Sequence, residues 1–353
     1  PSLAAAAANA LCMLALCHHA ASALVTPAAP PTKLSPSQGP SIQPTAPPEH
    51  LRVVEDFLDA DFAGELRGCF DEHFAEPRQA HPMRFVWDYW HVPGQYTLHR
   101  TQAANYFSPE EFDALTDALT QYGQERLGCR TISPPWLSFY IDGCEQQVHA
   151  DVPQGPLAYV LSLTRWEERA FTGGETTIMQ PHVLDYWRGF DSSTGLERPD
   201  VFKDVPPRFN QLTLFDARLP HGVRRVEGER DPRGARLVLH GWFTEPEPHY
   251  EGGLGEEEVS AGLQASLGSI GEAMPEPPVV GLLSVRLHVL PSGDVERVER
   301  LADTLVADPA QLEGESPAEA RRRALGVIGK ALEGAKFAAC DEPTQISLPL
   351  VFD

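Results

Sequence analysis

Two kinds of hydrophobic pattern follow each other along the first two thirds of the chain. Val53, Val54, Phe57 and Leu58 begin a helical pattern, and Ser108-Pro-Glu-Glu111 is a helix N-cap that predicts a helix through Tyr122. From Trp136 onward, short alternating or apolar runs bounded by glycine and proline predict strands. These runs are residues 136–141, 147–151, 157–163, 175–179, 211–215 and 236–243. The pattern is typical of a mainly β domain with flanking helices, in a sandwich or jelly roll.

The last third of the chain has a different organisation. Residues 279–353 predict a small α+β domain: a strand at 283–290, a turn at 291–294, a second strand, a helix at 318–332 and a closing strand at 345–352. Residues 247–278 are acidic and rich in proline, with one modest helix where apolar residues fall at helical spacing. We therefore expect a globular domain at 49–246, an acidic linker at 247–278 and the small domain at 279–353.

Residues 1–48 have the composition of a targeting segment. An apolar run at 11–16 is followed by the small residues Ala21-Ser-Ala23, and the segment before Glu49 contains no acidic residue. We expect a signal peptide and a disordered linker, and the segment also resembles the signal-plus-transit presequences of algae with secondary plastids. Entry into the secretory pathway is thus predicted, with plastid and endomembrane or secreted destinations both open. The apolar run is too short to cross a bilayer, so we expect no transmembrane segment in the mature protein.

The charge of the chain limits its partners. Its 353 residues contain 28 Lys and Arg against 50 Asp and Glu, a formal net charge of −22. A polyanion of this size repels phosphate backbones and anionic lipid surfaces, so we expect no nucleic-acid partner. The six cysteines form no C-x-x-C pair and no zinc-binding spacing.

A histidine and an aspartate at H-x-D spacing are the strongest local signal. His149 and Asp151 fall on a predicted strand, where residues two apart project to the same face and can reach one metal ion. Taken alone, the pair is better explained by a hydrogen-bonded surface contact than by a metal site. A later H-x-E, His249 to Glu251, lies among prolines and glycines where we expect no strand, so it is set aside.

Two residues downstream strengthen the metal interpretation. His221 follows His149 by 72 positions, and Arg236 opens the apolar run 236–243. Two histidines and a carboxylate are the ligand set that binds Fe(II) on one face, and an arginine fork can hold a carboxylate. Strand alternation places Arg236, Val238, His240 and Trp242 on one face. His240 and Trp242 are therefore candidate pocket residues, with plain core packing as the alternative.

A glycine-rich segment, Phe171-Thr-Gly-Gly-Glu-Thr176, lies between the H-x-D and the distal histidine. With this segment included, residues 51–243 resemble the Fe(II)/2-oxoglutarate-dependent dioxygenases of the prolyl 4-hydroxylase-like branch. The resemblance implies a double-stranded β-helix of jelly-roll type. It implies that His149, Asp151 and His221 bind iron and that Arg236 pairs with the distal carboxylate of 2-oxoglutarate. Tyr140 matches a position whose phenol points towards the iron, although a buried core tyrosine is the alternative. Some relatives have a second co-substrate tyrosine, for which Ser162 and Tyr159 are the candidates here.

The same resemblance implies the reaction. 2-Oxoglutarate and O2 would be consumed, succinate and CO2 released and a C–H bond hydroxylated, with ascorbate keeping the iron reduced. Peptidyl proline is the family's best-known substrate, and other protein or peptide residues and free amino acids are open alternatives. The aromatic and basic residues at 83–91 and 96–100 would form a substrate lid or cover the outer face of the sheet.

The C-terminal domain, 279–353, has a resemblance of its own, to the C-terminal domain of TonB. This implies an interaction module that pairs through a sheet edge.

Two alternatives to an active oxygenase are compatible with these sequence patterns. One is a catalytically silent jelly-roll protein that binds partners through its C-terminal domain, and the other is a cupin-type metalloenzyme that does not use 2-oxoglutarate, which Arg236 disfavours.

Overall fold

A computed structural model describes residues 42, 45–152, 154–183, 191–193, 200–312 and 314–353. The described residues all belong to one compact unit. Most of the predicted targeting segment, residues 1–48, lies outside the described residues. In the part of the chain that is described, no helix combines the length and the apolar character needed to span a membrane.

The larger of two sheets contains twelve strands among the described residues. They are β1 (Leu51–Val54), β2 (Asp88–Val92), β3 (Tyr96–Gln102), β4 (Cys129–Ile132), β5 (Trp136–Tyr140), β6 (Glu145–His149), β7 (Leu157–Ser162), β8 (Thr176–Met179), β9 (Phe202–Val205), β10 (Gln211–Asp216), β11 (His221–Val223) and β12 (Arg236–Pro246). Their order is β1-β10-β7-β12-β5-β3-β6-β11-β8-β9, with β2 paired to β3 and β4 paired to β12.

Strand β3 joins the two halves of this sheet. Its first residues, Tyr96 and Thr97, pair with β6, whereas residues 99–102 pair with β5. All the pairs are antiparallel. The sheet therefore folds over on itself, with β6, β11, β8 and β9 forming its second half. The prediction of a mainly β jelly roll with flanking helices is confirmed.

Two helices pack on the outer face of the larger sheet. Helix α1 (Ala60–His73) begins at the N-cap Asp59, and helix α2 (Pro109–Tyr122) begins at Ser108, which forms a capping box with Glu111. The capping motif thus starts the second helix where the sequence predicts it. The core between helices and sheet contains Leu66, Phe70, Leu115, Leu119, Leu137, Leu161, Leu212, Leu237 and Leu239.

The prediction of a helical pattern from Val53 is wrong. Residues 51–54 form β1, whose register pairs Leu51 with Phe215 and Val54 with Leu212. The edge of β10 needs a partner for its backbone groups, and β-branched valines suit a strand. Long-range pairing therefore decides the conformation of this short apolar segment, and the helix starts only at Ala60.

Strands and helices of the last third form a second sheet with its own core. The elements are β13 (His249–Glu251), α3 (Glu256–Ala273), β14 (Val279–Val289), β15 (Val295–Asp303), β16 (Val306–Ala307), α4 (Pro317–Glu333) and β17 (Thr344–Phe352). The strand order is β13-β17-β14-β15, with β16 paired to β14. Helices α3 and α4 pack against this sheet through Leu263, Ile270, Ile328 and Leu332.

The structure differs here from the expected acidic linker at 247–278. Strand β13 pairs with β17, and α3 contributes Val259 and Leu263 to the second core. His249 and Glu251 therefore lie on a strand, contrary to the expectation. The flanking prolines and glycines limit the length of β13 to three residues, but they do not prevent the strand from forming. Their side chains meet at 3.4 Å, far along the chain from the H-x-D.

The second sheet packs directly on the first part of the chain. Ser284 donates a hydrogen bond to the carbonyl oxygen of Leu127, and Arg218 Nη2 donates to that of Thr304 at 2.8 Å. Leu282 and Ala302 belong to the same buried cluster as the residues under α1 and α2. The two sheets therefore share apolar core contacts.

Candidate active site

Three ligand atoms meet where β6 and β11 lie side by side. His149 ends β6, His221 begins β11, and the two are opposite each other in register. Asp151 follows two residues after β6, and its backbone N–H donates to the Ala217 carbonyl oxygen at 3.0 Å. One ligand atom from each of His149, Asp151 and His221 lies within 4.8 Å of the others. The strand predicted at 147–151 ends at His149, so this backbone bond, and not strand alternation, places Asp151.

Backbone carbonyls orient both imidazole rings. Nδ1 of His149 lies 2.9 Å from the carbonyl oxygen of Gln147, and Nδ1 of His221 lies 2.9 Å from that of Leu219. Each Nδ1–H donates to its carbonyl, so the lone pair that a metal would bind is on Nε2 of each ring. Nε2 of His221 lies 3.2 Å from Asp151 Oδ2, and Nε2 of His149 lies 3.5 Å from Oδ1. Both rings therefore present a nitrogen ligand towards the aspartate.

The protonation states of these groups suit a divalent cation. Burial opposes ionisation of Asp151, but hydrogen bonds and charge from His221, His149 and Trp242 lower the pKa of its carboxyl group. Burial lowers the pKa of His149. Trp242 Nε1 donates to Asp151 Oδ2 at 3.0 Å and so fixes the carboxylate. Two imidazole nitrogens and one carboxylate oxygen on one side of a cavity are a donor set that fits Fe(II).

Arg236 is a buried cation with an unused donor. Only 1% of the residue is exposed, and it forms no ion pair within the described residues. Its Nε donates to the Gly174 carbonyl oxygen at 2.7 Å, and its Nη2 donates to Thr176 Oγ1 at 3.1 Å. Its Nη1 is buried and has no hydrogen-bond partner. Because buried charges are normally paired, this geometry calls for an anion in the cavity.

The two glycines before Glu175 make the anchoring of Arg236 feasible. Gly173 and Gly174 have φ values of +75° and +83°, which side chains rarely adopt. A Cβ on Gly173 would lie 1.8 Å from the carbonyl oxygen of Arg225. The backbone can therefore turn tightly here and direct the Gly174 carbonyl at the arginine.

A cavity of about 260 Å³ connects these groups. Arg236, Val238, His240 and Trp242 line it from β12, while Leu237 and Leu239 face the helices, as strand alternation requires. Tyr140 also lines it, 2% exposed, with its ring 4.6 Å below the guanidinium carbon of Arg236. His240 Nε2 lies 2.9 Å from Ser138 Oγ. Burial lowers the pKa of His240 to about 4, so this ring is neutral at pH 7.

The two candidates for a second co-substrate contact are placed differently. The Ser162 hydroxyl donates to the Pro207 carbonyl oxygen at 2.8 Å, and this residue does not line the cavity. Tyr159 touches the cavity wall, but its ring packs on Phe243 on the helix side of the sheet, with centroids 5.2 Å apart. Strand β7 instead directs Ala158 and Val160 inward, because those residues oppose Trp242 and His240 of β12.

Two further residues contact the candidate metal ligands. Gln146 Nε2 lies 3.2 Å from His149 Nε2, and the Tyr140 hydroxyl donates to Gln146 Oε1 at 3.4 Å. Tyr96 packs edge-on against His149 at 5.6 Å between centroids. The pairing of β3 with β6 brings Tyr96 to the site, whereas Gln146 lies on β6 itself, three residues before His149, where no motif singles it out.

Residues 135–244 match the model of the 2OG-Fe(II) oxygenase superfamily. The matched stretch contains the H-x-D, the distal histidine and Arg236. The resemblance of the sequence to Fe(II)/2-oxoglutarate oxygenases is confirmed. No curated protein sequence matches this chain.

Several solved structures are similar at low identity. A prolyl-4-hydroxylase from Pseudomonas putida is 17% identical, with a TM-score of 0.39 over 56% of this chain and 92% of that one. A prolyl hydroxylase from Trichoplax adhaerens, solved with a hypoxia inducible factor peptide, is 14% identical, with a TM-score of 0.38 over 55% and 83%. HygX from Streptomyces hygroscopicus, solved with nickel and 2-oxoglutarate, is 15% identical, with a TM-score of 0.35 over 54% and 81%.

Proposed function

We propose that this protein is an Fe(II)- and 2-oxoglutarate-dependent oxygenase that hydroxylates a C–H bond and releases succinate and CO2. The observation that carries the proposal is the meeting of two unlike features in one cavity. Three metal-ligand atoms lie within 4.8 Å of one another, and a buried arginine with a free Nη1 lines the same space. A metalloenzyme without an acidic co-substrate has no use for that arginine.

Each group has a role in this proposal. His149, Asp151 and His221 would hold Fe(II) on one face, and bound iron supplies the coordination sites and the redox chemistry for 2-oxoglutarate and O2. Arg236 would bind the distal carboxylate of 2-oxoglutarate through Nη1, since Nε and Nη2 are already held. Trp242 keeps the Asp151 carboxylate in position. Ascorbate would keep the iron in its reduced state.

The cavity wall near β2 favours a protein or peptide as the substrate, with peptidyl proline as the leading candidate. Trp90 lines the cavity and is 38% exposed. An exposed aromatic side chain at the mouth of a cavity is suited to an extended chain that lies across the surface.

Succinate release tests the reaction class. The full chain is incubated with Fe(II), 2-oxoglutarate and ascorbate under air, beside Asp151→Ala and the control Asp117→Ala, which alters an exposed aspartate on α2. We expect succinate from the unaltered chain and from Asp117→Ala, but not from Asp151→Ala. Equal succinate from all three, or none together with no anaerobic binding of metal and 2-oxoglutarate, would contradict the proposal. A screen of proline peptides in the same assay tests the substrate.

A further inference from the structure

A second arginine lines another part of the same cavity, held between two tryptophans. The guanidinium carbon of Arg100 lies 3.5 Å from the ring centroid of Trp90 and 4.3 Å from that of Trp136. Trp90 on β2 opposes Leu98, and Trp136 on β5 opposes Gln102. Both tryptophans are therefore diagonal neighbours of Arg100 across β3, and all three line the cavity. The stacking fixes the guanidinium plane and leaves its edge for hydrogen bonds.

Arg100 forms no ion pair or hydrogen bond with the described residues, and its Nε is buried without an acceptor. Asp88 opposes it across β2 and β3 and attracts it electrostatically, but this aspartate is exposed and makes no direct contact with the guanidinium. Among the described residues that line the cavity, the one carboxylate is Asp151, which the metal would use. The cavity therefore contains one more cation than its own groups and 2-oxoglutarate account for.

The strand register separates Arg100 from Arg236. Arg236 pairs with Tyr140 across β12 and β5, and Arg100 pairs with Ser138 across β3 and β5. The two arginines are thus two strands apart and offset by two residues, which corresponds to about 12 Å between their Cα atoms. Stacking on the two tryptophans holds the Arg100 guanidinium, and hydrogen bonds to Gly174 and Thr176 hold that of Arg236, so the two groups occupy different parts of the cavity. Arg100 and Trp90 also lie outside residues 135–244, the stretch that matches the superfamily model.

We infer that Arg100, clamped by Trp90 and Trp136, binds a carboxylate of the substrate that is hydroxylated. This inference rests on the proposed function and specifies its substrate class: a molecule with a carboxylate near the C–H bond to be oxidised. The carboxylate belongs either to an acidic residue of a peptide or to a free amino acid. A carboxylate held in the guanidinium plane would fix the orientation of the substrate relative to the metal.

Calorimetry on the full chain tests the inference. The protein is first titrated with Mn(II) and 2-oxoglutarate under nitrogen, and matched probes are then added to that complex. One pair is acetyl-Ala-Glu-Pro-Ala-amide and its Gln counterpart, and the other is L-proline and L-prolinamide. We expect the carboxylate form to bind about 10-fold to 100-fold more tightly in one of the pairs, as a charge-assisted hydrogen bond would give.

Three variants assign that preference to Arg100. Arg100→Gln should abolish it, and Arg100→Lys, which keeps the charge but not the planar fork, should retain part of it. Arg322→Gln, which alters an exposed arginine on α4, should keep all of it. Thermal unfolding tests whether each variant is folded. If Arg100→Gln does not fold, Arg100→Lys still tests the role of the guanidinium.

The outcomes separate the two hypotheses. Preference in the peptide pair identifies an acidic peptide, and preference in the proline pair identifies a free amino acid. No preference for the carboxylate in either pair, or a preference that survives in Arg100→Gln, overturns the inference. Failure to bind Mn(II) and 2-oxoglutarate appears in the first titration and overturns the proposed function itself.

Discussion

Replacing Arg236 with methionine removes the buried cation that we assign to 2-oxoglutarate while preserving much of its volume. The arginine is 1% exposed, and two of its nitrogens are already fixed by Gly174 and Thr176. Binding therefore costs little of the roughly 2 kcal/mol of rotamer entropy that a free arginine would lose. Nη1 has no partner to give up.

These features set the expected magnitude. Removing one partner of a buried, hydrogen-bonded charge pair costs about 2–5 kcal/mol. Since about 1.4 kcal/mol corresponds to a factor of ten, the affinity for 2-oxoglutarate should fall by about 30-fold to 4000-fold. Because the arginine is preorganised and almost fully desolvated, we expect a loss of at least about 100-fold.

Anaerobic calorimetry with the Mn(II)-loaded protein measures this loss. Arg225→Met is the matched control, because Arg225 follows β11 but more than half of its side chain is exposed and its ion-pair contacts are long, at 3.9 Å. The control should bind 2-oxoglutarate within about twofold of the unaltered chain, as expected for a weak surface pair. Mn(II) binding should persist in both variants. If Arg236→Met binds 2-oxoglutarate within about threefold of the unaltered protein, the assignment of the co-substrate site is refuted.

Four further substitutions test other parts of the structure. Trp242→Phe removes the donor to Asp151, so metal titration should show about 10-fold weaker binding. Burial opposes ionisation of Asp216, but hydrogen bonds from a histidine and an arginine lower the pKa of its carboxyl group. The ionised carboxylate therefore stabilises the fold at pH values above its unfolded-state pKa of about 3.9. Urea unfolding measures the free energy of unfolding of the unaltered chain and of Asp216→Asn. The difference between these two free energies should be constant between about pH 5 and 7 and should shrink below about pH 4. Gly173→Ala should lower the free energy of unfolding by more than about 2 kcal/mol. Gly268 lies in α3 with open space around it, so Gly268→Ala should raise the free energy of unfolding by about 0.5–1 kcal/mol.

Each of these results has a clear opposite. Unchanged metal affinity in Trp242→Phe would mean that the indole does not position the carboxylate. If the free-energy difference between the unaltered chain and Asp216→Asn grows as the pH falls, folding raises the pKa of Asp216 instead of lowering it. A tolerated alanine at Gly173 would show that the turn before Glu175 does not need a left-handed glycine.

Local sequence chemistry predicts much of the fold. The capping box at Ser108 starts α2, and the alternating run from Arg236 divides its side chains between the helix-side core and the cavity. Both signals depend on neighbouring residues only, so they can be read without a partner strand. Residues 51–54 lack such a signal. Whether they form a strand or a helix depends on β10, more than 150 residues away.

The candidate site divides in the same way. The chain order of His149, Asp151, His221 and Arg236 indicates a metal and an acidic co-substrate, because those residue types suit Fe(II) and a carboxylate. The tertiary structure alone places Asp151 through the Ala217 carbonyl and brings Tyr96 to the candidate ligand His149. These contacts depend on strand register.

Side-chain chemistry and short-range periodicity specify the residue types of the candidate site, the alternation of the strands and the capped start of α2, and all of these can be read along the chain. The place of β13 and α3 in the second sheet and its core, and the enclosure of Arg100 by two tryptophans, depend on the folded structure. Pairing between distant strands is fixed by the register and burial of the whole sheet. A residue's local neighbours do not specify which distant strand it will face.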